Sequence, residues 1–175
     1  RCPAAVISRR WKRPSYWFQT FGLLPGNFDD WDFLRQDFAM NSPDQLIEQL
    51  SMIAHPEGGH FVETYRASDH SASLIFYLLR EGERSHWHRL TKDEILHFYD
   101  GEPMRLLLSR DGQAVEERLL GRDLADDQQL HIVVPKGTWF SMHSSGAWSL
   151  IGCTVSPAFR FDDFELAAKN WAPTP

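Results

Sequence analysis

The stretch GERSHWHRLTKDEILHFYDG, residues 82–101, decides how the rest of this sequence is interpreted. His86 and His88 are separated by one residue, and Glu94 follows after a short polar stretch that is typical of a turn. Residues i and i+2 of a β-strand point to the same face, so both imidazoles are expected on one side of a strand. Residues 95–99 have the character of a second strand, which would turn Glu94 toward the two histidines.

Two imidazoles and a carboxylate form a ligand set that divalent iron, manganese, nickel or zinc accepts. A facial set of three ligands also leaves coordination positions open for substrate or water. His86, His88 and Glu94 are therefore the candidate metal ligands, and the cofactor they would hold is a divalent transition metal. The alternative is that these groups are polar residues lining a cavity or hydrogen-bonded inside a barrel.

A second stretch, HPEGGHFVETYR at residues 55–66, narrows the interpretation. Together with SHWHR, DEILHFYDG, VVPKGTW and GCTVSPAFRFDDFEL, it resembles a family of small cupins that is marked by the HPEGG signature. The resemblance covers roughly residues 46–168. It implies an all-β fold, the cupin double-stranded β-helix or jelly-roll barrel, which this family shares with sugar epimerases and isomerases.

The resemblance is incomplete at the second cupin motif. In that motif PxG is followed after two residues by a histidine that completes the metal site, whereas this sequence has Phe140 there. His143 lies three residues further along and has the opposite strand parity, so it could supply a ligand only through a bulge or a break in the strand. A site with three of the usual four ligands is expected to hold a metal more loosely than a complete cupin site.

Composition limits the classes of function. The chain of 175 residues is long enough for one domain with a sizeable core, and its formal charge of −6 argues against a general nucleic-acid binder. Its two cysteines, Cys2 and Cys153, do not suggest a disulfide framework, which fits the reducing cytoplasm. No apolar run approaches the roughly 20 residues of a membrane span, and no signal peptide is evident, so neither a membrane nor a nucleic acid is an expected partner.

Residues 1–39 differ from the rest of the chain. They hold six basic against four acidic residues and three of the seven tryptophans, but no histidine. We interpret residues 40–175 as the single cupin domain and residues 1–39 as an N-terminal extension. That extension is either non-native sequence upstream of Met40 or an arm that packs aromatic side chains on the barrel, on a second subunit or on a membrane surface.

Short helices are expected on both sides of the barrel. Ser42 is a predicted N-cap, because Pro43 follows at the first helical position and Gln45 stands three residues after the cap. This helix is expected to end before the His55–Pro56 step. Residues 162–169 are predicted as a closing helix, with Asp163 near its positive end.

Alternation along residues 60–66 predicts that Phe61, Glu63 and Tyr65 share one face of a strand and that Arg66 lies on the other. Glu63 and Tyr65 are therefore candidates for the pocket wall, although Glu63 could instead form a salt bridge at the barrel end, for example with Arg66. The full set of candidate ligand-binding residues is Glu63, Tyr65, His88, Phe98, Trp139 and Phe140. The candidate catalytic residues are His88 as a base, Glu94, and Tyr65 as an acid, with Tyr99 as an alternative acid.

Three functional interpretations remain open on the residues alone. The barrel pocket could bind a small polar metabolite, sugar-like in one version, and could also catalyse its non-redox epimerisation or isomerisation. Alternatively, His86, His88 and Glu94 could form the centre of a metal-dependent cupin enzyme such as a dioxygenase. Fold analogy does not choose among them, because one fold hosts many chemistries. A homodimer is expected, since apolar strands at the edges and outer faces of the sheets need cover.

Overall fold

The computed structural model describes residues 42–174, which form two antiparallel sheets packed face to face. A single α-helix of this part of the chain, α1 (Pro43–Gln49), precedes eleven strands. In chain order, β1 to β11 are Ile53–Ala54, His60–Arg66, Ser73–Arg80, Ser85–Leu90, Glu94–Gly101, Met104–Ser109, Glu116–Leu120, His131–Val134, Trp139–Ser144, Trp148–Val155 and Phe164–Leu166. The predicted all-β jelly-roll barrel is confirmed, whereas the predicted extension, residues 1–39, and its boundary lie outside the described residues.

The two sheets are built from strands that are distant in sequence. The six-stranded sheet has the order β1-β2-β3-β10-β5-β8, and the five-stranded sheet has the order β11-β4-β9-β6-β7. Alternate residues of both sheets point inward and form the main core. Its fully buried members include Leu79, Leu96, Leu106, Phe140, Met142 and Ile151.

Helix α1 begins as predicted. The Ser42 hydroxyl accepts from the Gln45 backbone N–H at 3.2 Å, and the Gln45 side chain accepts from the Ser42 N–H at 2.8 Å, which is a complete capping box. Leu46 carries the buried face of α1 and packs with Met52, just before β1, and with Leu78, Trp148 and Leu150 on the outer face of the six-stranded sheet. No helix of residues 42–174 has the length and apolar character that crossing a membrane requires.

The predicted closing helix at residues 162–169 is wrong. A 3-10 turn, Phe161–Asp163, leads there into strand β11, which pairs antiparallel with the edge strand β4. A strand is favoured over a helix here because it pairs the backbone hydrogen-bonding groups of β4 that would otherwise be open. It also places Glu165 2.7 Å from Arg89 on the neighbouring strand.

The last residues form a tail over the outer face of the five-stranded sheet. The Ala167 N–H donates to the Trp87 carbonyl at 2.9 Å, which fixes the start of this tail. The Trp171 ring lies 4.5 Å from that of Trp139 and 6.1 Å from that of Trp87, measured between centroids. Trp87 and Trp139, on the outer face of the five-stranded sheet, are therefore in contact with this tail.

Candidate functional site

A cavity of about 120 Å³ lies inside the barrel, between the two sheets. Much of its wall is aromatic or aliphatic, with Phe61, Ile75, Phe159 and Phe164 among the lining residues. Its polar lining includes His55, Glu57, His88 and Glu94, together with Glu63 and Arg66. An apolar cavity with a few convergent polar groups is the usual form of a small-molecule site.

Glu57 reaches this cavity from the turn between β1 and β2. The turn is docked on β4, because the His86 backbone N–H donates to the Glu57 carbonyl at 2.8 Å. On the other side of the turn, the hydroxyl of Tyr77, on β3 of the six-stranded sheet, donates to the Gly58 carbonyl at 2.6 Å. Gly58 has a φ of +114° and packs against β4, so the turn needs its two glycines to come this close. Glu57 is buried as a result.

His88 and Glu57 form a buried acid–base pair. His88 Nε2 lies 3.3 Å from Glu57 Oε2, and His88 Nδ1 donates to the His86 carbonyl at 2.7 Å, since a carbonyl oxygen only accepts. Ser85 Oγ donates to Glu57 Oε1 at 2.9 Å. The Glu57 carboxyl group is thus held between the His88 imidazole and the Ser85 hydroxyl.

His55 completes this end of the cavity as a neutral imidazole. Its Nδ1 accepts from the Glu57 backbone N–H at 3.3 Å, so its own proton is on Nε2. Burial lowers the pKa of His55, the charge of Glu57 acts in the opposite direction, and His88 lowers the pKa further. The neutral state follows both from the hydrogen bond and from the direction of this shift.

Glu94, at the start of β5, is a protonated acid at neutral pH. Burial raises its pKa to about 8; the negative charge of Glu57 adds to the rise, and the Cys153 thiol opposes it. Glu94 Oε2 is buried and has no hydrogen-bond partner among the described residues. A neutral carboxyl group that lines a cavity in this way can donate a hydrogen bond to a ligand there.

A register shift in β2 separates Glu63 from Tyr65. Glu63 pairs with Ile75 and Tyr65 with Leu74, so Glu63 lies on the cavity face and Tyr65 on the outer face, where it is 55% exposed. The expectation that Glu63 and Tyr65 share a face fails because Thr64 is the extra residue of a bulge.

The same bulge turns Arg66 inward. The Arg66 guanidinium donates from Nε to Glu63 Oε1 at 2.9 Å and from Nη2 to Glu63 Oε2 at 2.5 Å. Both side chains line the cavity and remain about one third exposed, at 32% and 38%. Glu63 therefore lies at the cavity and also forms an ion pair, although its partner is Arg66 of the same strand rather than of a neighbouring strand or subunit.

None of the predicted aromatic wall residues, Phe98, Trp139 and Phe140, is among the residues that line the cavity. Phe140 is buried and its ring centroid lies 4.0 Å from that of His88, so it supports the imidazole from the core. Phe98 packs against the main core and does not line the cavity. Trp139 lies on the outer face of its sheet, with the Arg89 guanidinium 4.5 Å from its ring centroid. The aromatic lining comes instead from residues such as Phe159 and Phe164.

Residues 44–167 match the family described as Cupin superfamily (DUF985). The chain belongs to this cupin family. No curated protein sequence matches it. Among solved structures, this cupin is similar to protein SO0799 from Shewanella oneidensis, with 38% identity, a TM-score of 0.70, and coverage of 74% of this chain and 86% of that one.

Two further structures extend this likeness. A hypothetical protein from Leishmania major is 26% identical, with a TM-score of 0.69, and the match covers 75% of the cupin described here and 90% of that chain. A cupin 2 conserved barrel domain protein from Rhodopseudomonas palustris is 12% identical, with a TM-score of 0.50, and the match covers 68% and 74% of the two chains. At that identity the likeness concerns the fold alone.

The predicted metal ligands of this cupin do not converge. Strand β4 pairs Ser85 with Met142 and His88 with Phe140. The interval from Ser85 to His88 is therefore one residue longer than the interval it faces on β9, which is a β-bulge. At this bulge the strict alternation of faces along β4 is broken, so His86 and His88 need not point the same way. The His86 side chain turns outward, where Nε2 donates to the Ala168 carbonyl at 3.1 Å. The expected shared face of His86 and His88 is therefore not formed.

The donor set of this cupin does not fit a metal ion. Within residues 42–174, no group of three histidine, cysteine, aspartate or glutamate side chains has the geometry to hold one. His88 uses Nδ1 for a backbone carbonyl and Nε2 for Glu57, and Phe140 stands where the second cupin motif has a histidine. His143 does not replace it, because β9 pairs with β6 without a register shift.

Sequence reasoning missed Glu57, His55 and Tyr77 as site residues. Glu57 and His55 belong to the HPEGG stretch, which we interpreted as a family signature without assigning a role to either side chain. A glutamate in a turn is ordinarily exposed to solvent, whereas Glu57 is only 8% exposed. The pattern of hydrophobic residues in the sequence does not indicate this burial. The usable signal was the pair of glycines, which indicates a turn packed closely against another element.

Proposed function

We propose that this cupin binds a small polar metabolite in the barrel cavity and isomerises or epimerises it by moving a proton next to a carbonyl group. The proposal rests on one observation: two buried carboxyl groups line the same cavity in different surroundings. Glu57 is paired with His88, whereas Glu94 is a protonated acid whose Oε2 has no partner among the described residues. Two such carboxyls in one cavity are suited to opposite roles in proton transfer.

The roles follow from these environments. Glu57, with the His88 imidazole beside it, acts as the base and accepts the proton from the carbon beside the carbonyl. Glu94 donates to the carbonyl oxygen, which stabilises the negative charge that develops there. Return of a proton to the same or the neighbouring carbon gives an epimer or an isomer, and no net oxidation is needed. A sugar-like metabolite, expected from the sequence, is one member of this substrate class.

The alternative, a metal-dependent cupin enzyme such as a dioxygenase, has weaker support. It requires His86, His88 and Glu94 as ligands, and the His86 imidazole is engaged by the C-terminal tail. The same reasoning gives Tyr65 no role as an acid, since it is 55% exposed on the outer face. Glu94 takes that role in the proposed function.

Deuterium exchange tests the proposal directly. The purified protein is incubated in D2O with glyceraldehyde, dihydroxyacetone or 2-hydroxyacetophenone, and exchange at the carbon beside the carbonyl is followed by proton NMR. We expect exchange that Glu57→Gln and Glu94→Gln each slow by roughly 10²-fold or more, the usual contribution of a positioned acid or base.

Glu165→Gln is the matched control, because it removes a carboxylate that pairs with Arg89 on the outer face of the barrel. It should leave the exchange rate unchanged. Equal rates in the wild type and both cavity variants would contradict the proposal. So would exchange that appears only after addition of iron, manganese, nickel or zinc and that depends on His86.

We also propose that the cupin is a homodimer. The part of the six-stranded sheet's outer face that α1 does not cover exposes Tyr65, Tyr99 and Val133, which are 55%, 43% and 45% exposed. Val133 lies on the edge strand β8. We expect light scattering at tens of micromolar to give a dimer and Val133→Lys to give a monomer.

Leu166→Lys is the control for the dimer, since Leu166 is similarly exposed, at 41%, but lies on the other sheet. That variant should remain dimeric. A monomeric wild type would refute the proposed dimer, and dissociation by Leu166→Lys alone would place the contact on the other sheet.

A further inference from the structure

We infer that, within the proposed class of small polar metabolites, the cavity selects neutral carbonyl compounds, and that Glu63 is the specificity-determining residue that turns anionic compounds away. The inference rests on the proposed function and names its substrate class. It is carried by the charges that line the cavity and by the size and chemistry of its wall.

Each charge at the cavity already has a partner. Among the described residues, 42–174, Arg66 is the only lysine or arginine that lines it, and three carboxyl groups line it as well. Glu57 lies beside His88, with Oε2 3.3 Å from Nε2, and Glu94 is a neutral acid. Glu63 neutralises Arg66 through two hydrogen bonds. Within this part of the chain, an anionic ligand would therefore meet an arginine that is already paired with a carboxylate, and desolvating its charge there would be poorly compensated.

The geometry of Arg66 makes this neutralisation specific. Nε and Nη2 face the two Glu63 oxygens in a bidentate arrangement, and Nη1 donates to the Phe159 carbonyl at 3.1 Å. Three of the five N–H donors of the guanidinium are thus engaged before a ligand arrives. A phosphate or carboxylate that approached Arg66 would compete with Glu63 for the bidentate edge or lie beside its negative charge.

The wall offers apolar surface to the carbon skeleton of the ligand and polar groups to its oxygens. Phe61, Ile75, Phe159 and Phe164 contribute the apolar surface, while Glu94, the Glu57–His88 pair and the Glu63–Arg66 pair contribute the polar groups. The volume of about 120 Å³ is somewhat smaller than the roughly 150 Å³ apolar cavity known to accept benzene. The enclosed part of the ligand is therefore no larger than one six-membered ring or a short chain.

Two matched pairs of probes test the inference. Cyclohexanone is compared with 4-oxocyclohexanecarboxylate, and dihydroxyacetone with its phosphate, each by saturation-transfer NMR titration and by deuterium exchange in D2O. We expect the wild type to bind the neutral member of each pair at least about tenfold more tightly. Glu63→Gln frees the guanidinium and should shift the ratio toward the anionic member by roughly tenfold, a value that allows for solvent screening at the cavity mouth.

Two further variants complete the design. Arg66→Gln leaves Glu63 unneutralised and should increase the discrimination against anions. Glu165→Gln breaks the Arg89 pair on the outer face and should leave the ratio as in the wild type. Both Glu63 and Arg66 are partly exposed, so thermal melting is expected to show folded proteins.

The outcomes separate the inference from the proposed function. Tighter binding of the anionic members by the wild type, or a ratio that Glu63→Gln does not change, would overturn the inference. Preferential binding of neutral probes without deuterium exchange in any of them would support the inference and overturn the proposed proton transfer. The inference and the proposed function would both be supported if the wild type exchanges deuterium only into the neutral probes and Glu63→Gln exchanges it preferentially into the anionic ones.

Discussion

Glu94→Gln is expected to raise the free energy of unfolding at pH 8 by several kcal/mol while it slows proton exchange on the substrate. The pKa of Glu94 rises on folding from about 4.5 to about 8, because burial and the charge of Glu57 disfavour its ionised form. Between these two values the folded protein holds a proton that the unfolded chain has lost. The contribution of Glu94 to the free energy of unfolding is therefore highest below about pH 4.5 and falls as the pH rises toward 8.

Each unit of pKa difference is worth about 1.4 kcal/mol, so the loss across this window amounts to several kcal/mol. A glutamine keeps the shape of the neutral acid and has no charge to suppress. Urea denaturation from pH 4.5 to pH 9 measures the effect: the wild type should lose stability with rising pH more steeply than Glu94→Gln, and the two curves should diverge until about pH 8.

Glu165→Gln is again the appropriate control, because Glu165 is exposed on the barrel surface and pairs with Arg89. Its pH profile should run parallel to that of the wild type. Parallel profiles for the wild type and Glu94→Gln would mean that Glu94 is ionised in the folded protein, and the assignment of Glu94 as the acid would then be wrong.

Gly58→Ala is expected to destabilise the protein by about 2–5 kcal/mol. An added Cβ would lie 2.2 Å from the Arg84 carbonyl oxygen, an atom of the backbone that cannot move aside easily. Gly58 also has a φ of +114°, which side-chain-bearing residues rarely adopt. Relief of the clash requires the turn to leave β4, and Glu57 would move with it. Deuterium exchange should therefore fall in parallel with stability.

Gly82→Ala separates the effect of the steric clash from the effect of backbone strain. Gly82 has a comparable left-handed φ of +77°, but nothing lies within 4 Å of an added Cβ. Backbone strain alone should cost about 1–2 kcal/mol there. Urea denaturation of both variants gives the comparison. Equal losses of stability would show that the close approach to Arg84 contributes little and that the turn is not docked as described.

Much of the fold followed from local sequence patterns. The capping box at Ser42 and Gln45 formed as predicted, because each partner lies within one helical turn of the other. The apolar stretches became the strands of a barrel, since a strand's inward face is set by alternation over a few residues. The resemblance to cupins came from motifs spread over the chain, and the match of residues 44–167 to the family agrees with it.

The site was less predictable because the alternation rule holds only while strand register is unbroken. Bulges in β2 and β4 turn Arg66 inward and Tyr65 and His86 outward. A bulge arises from the match between a strand and its neighbour. That neighbour is the next strand, β3, for β2, and a strand more than fifty residues away, β9, for β4. A pattern within one strand therefore carries no signal of where the parity changes.

The sequence by itself determined the barrel, its first helix and the presence of His88, Glu94 and Glu63 on cavity-facing strands. Only the tertiary structure decided which partners these residues have. Glu57 becomes buried beside His88 because a glycine turn packs against β4, and the acidity of Glu94 depends on burial and on the charge of Glu57. Such pairings and desolvation are properties of groups distant in sequence, so they exist only once the sheets have closed around them.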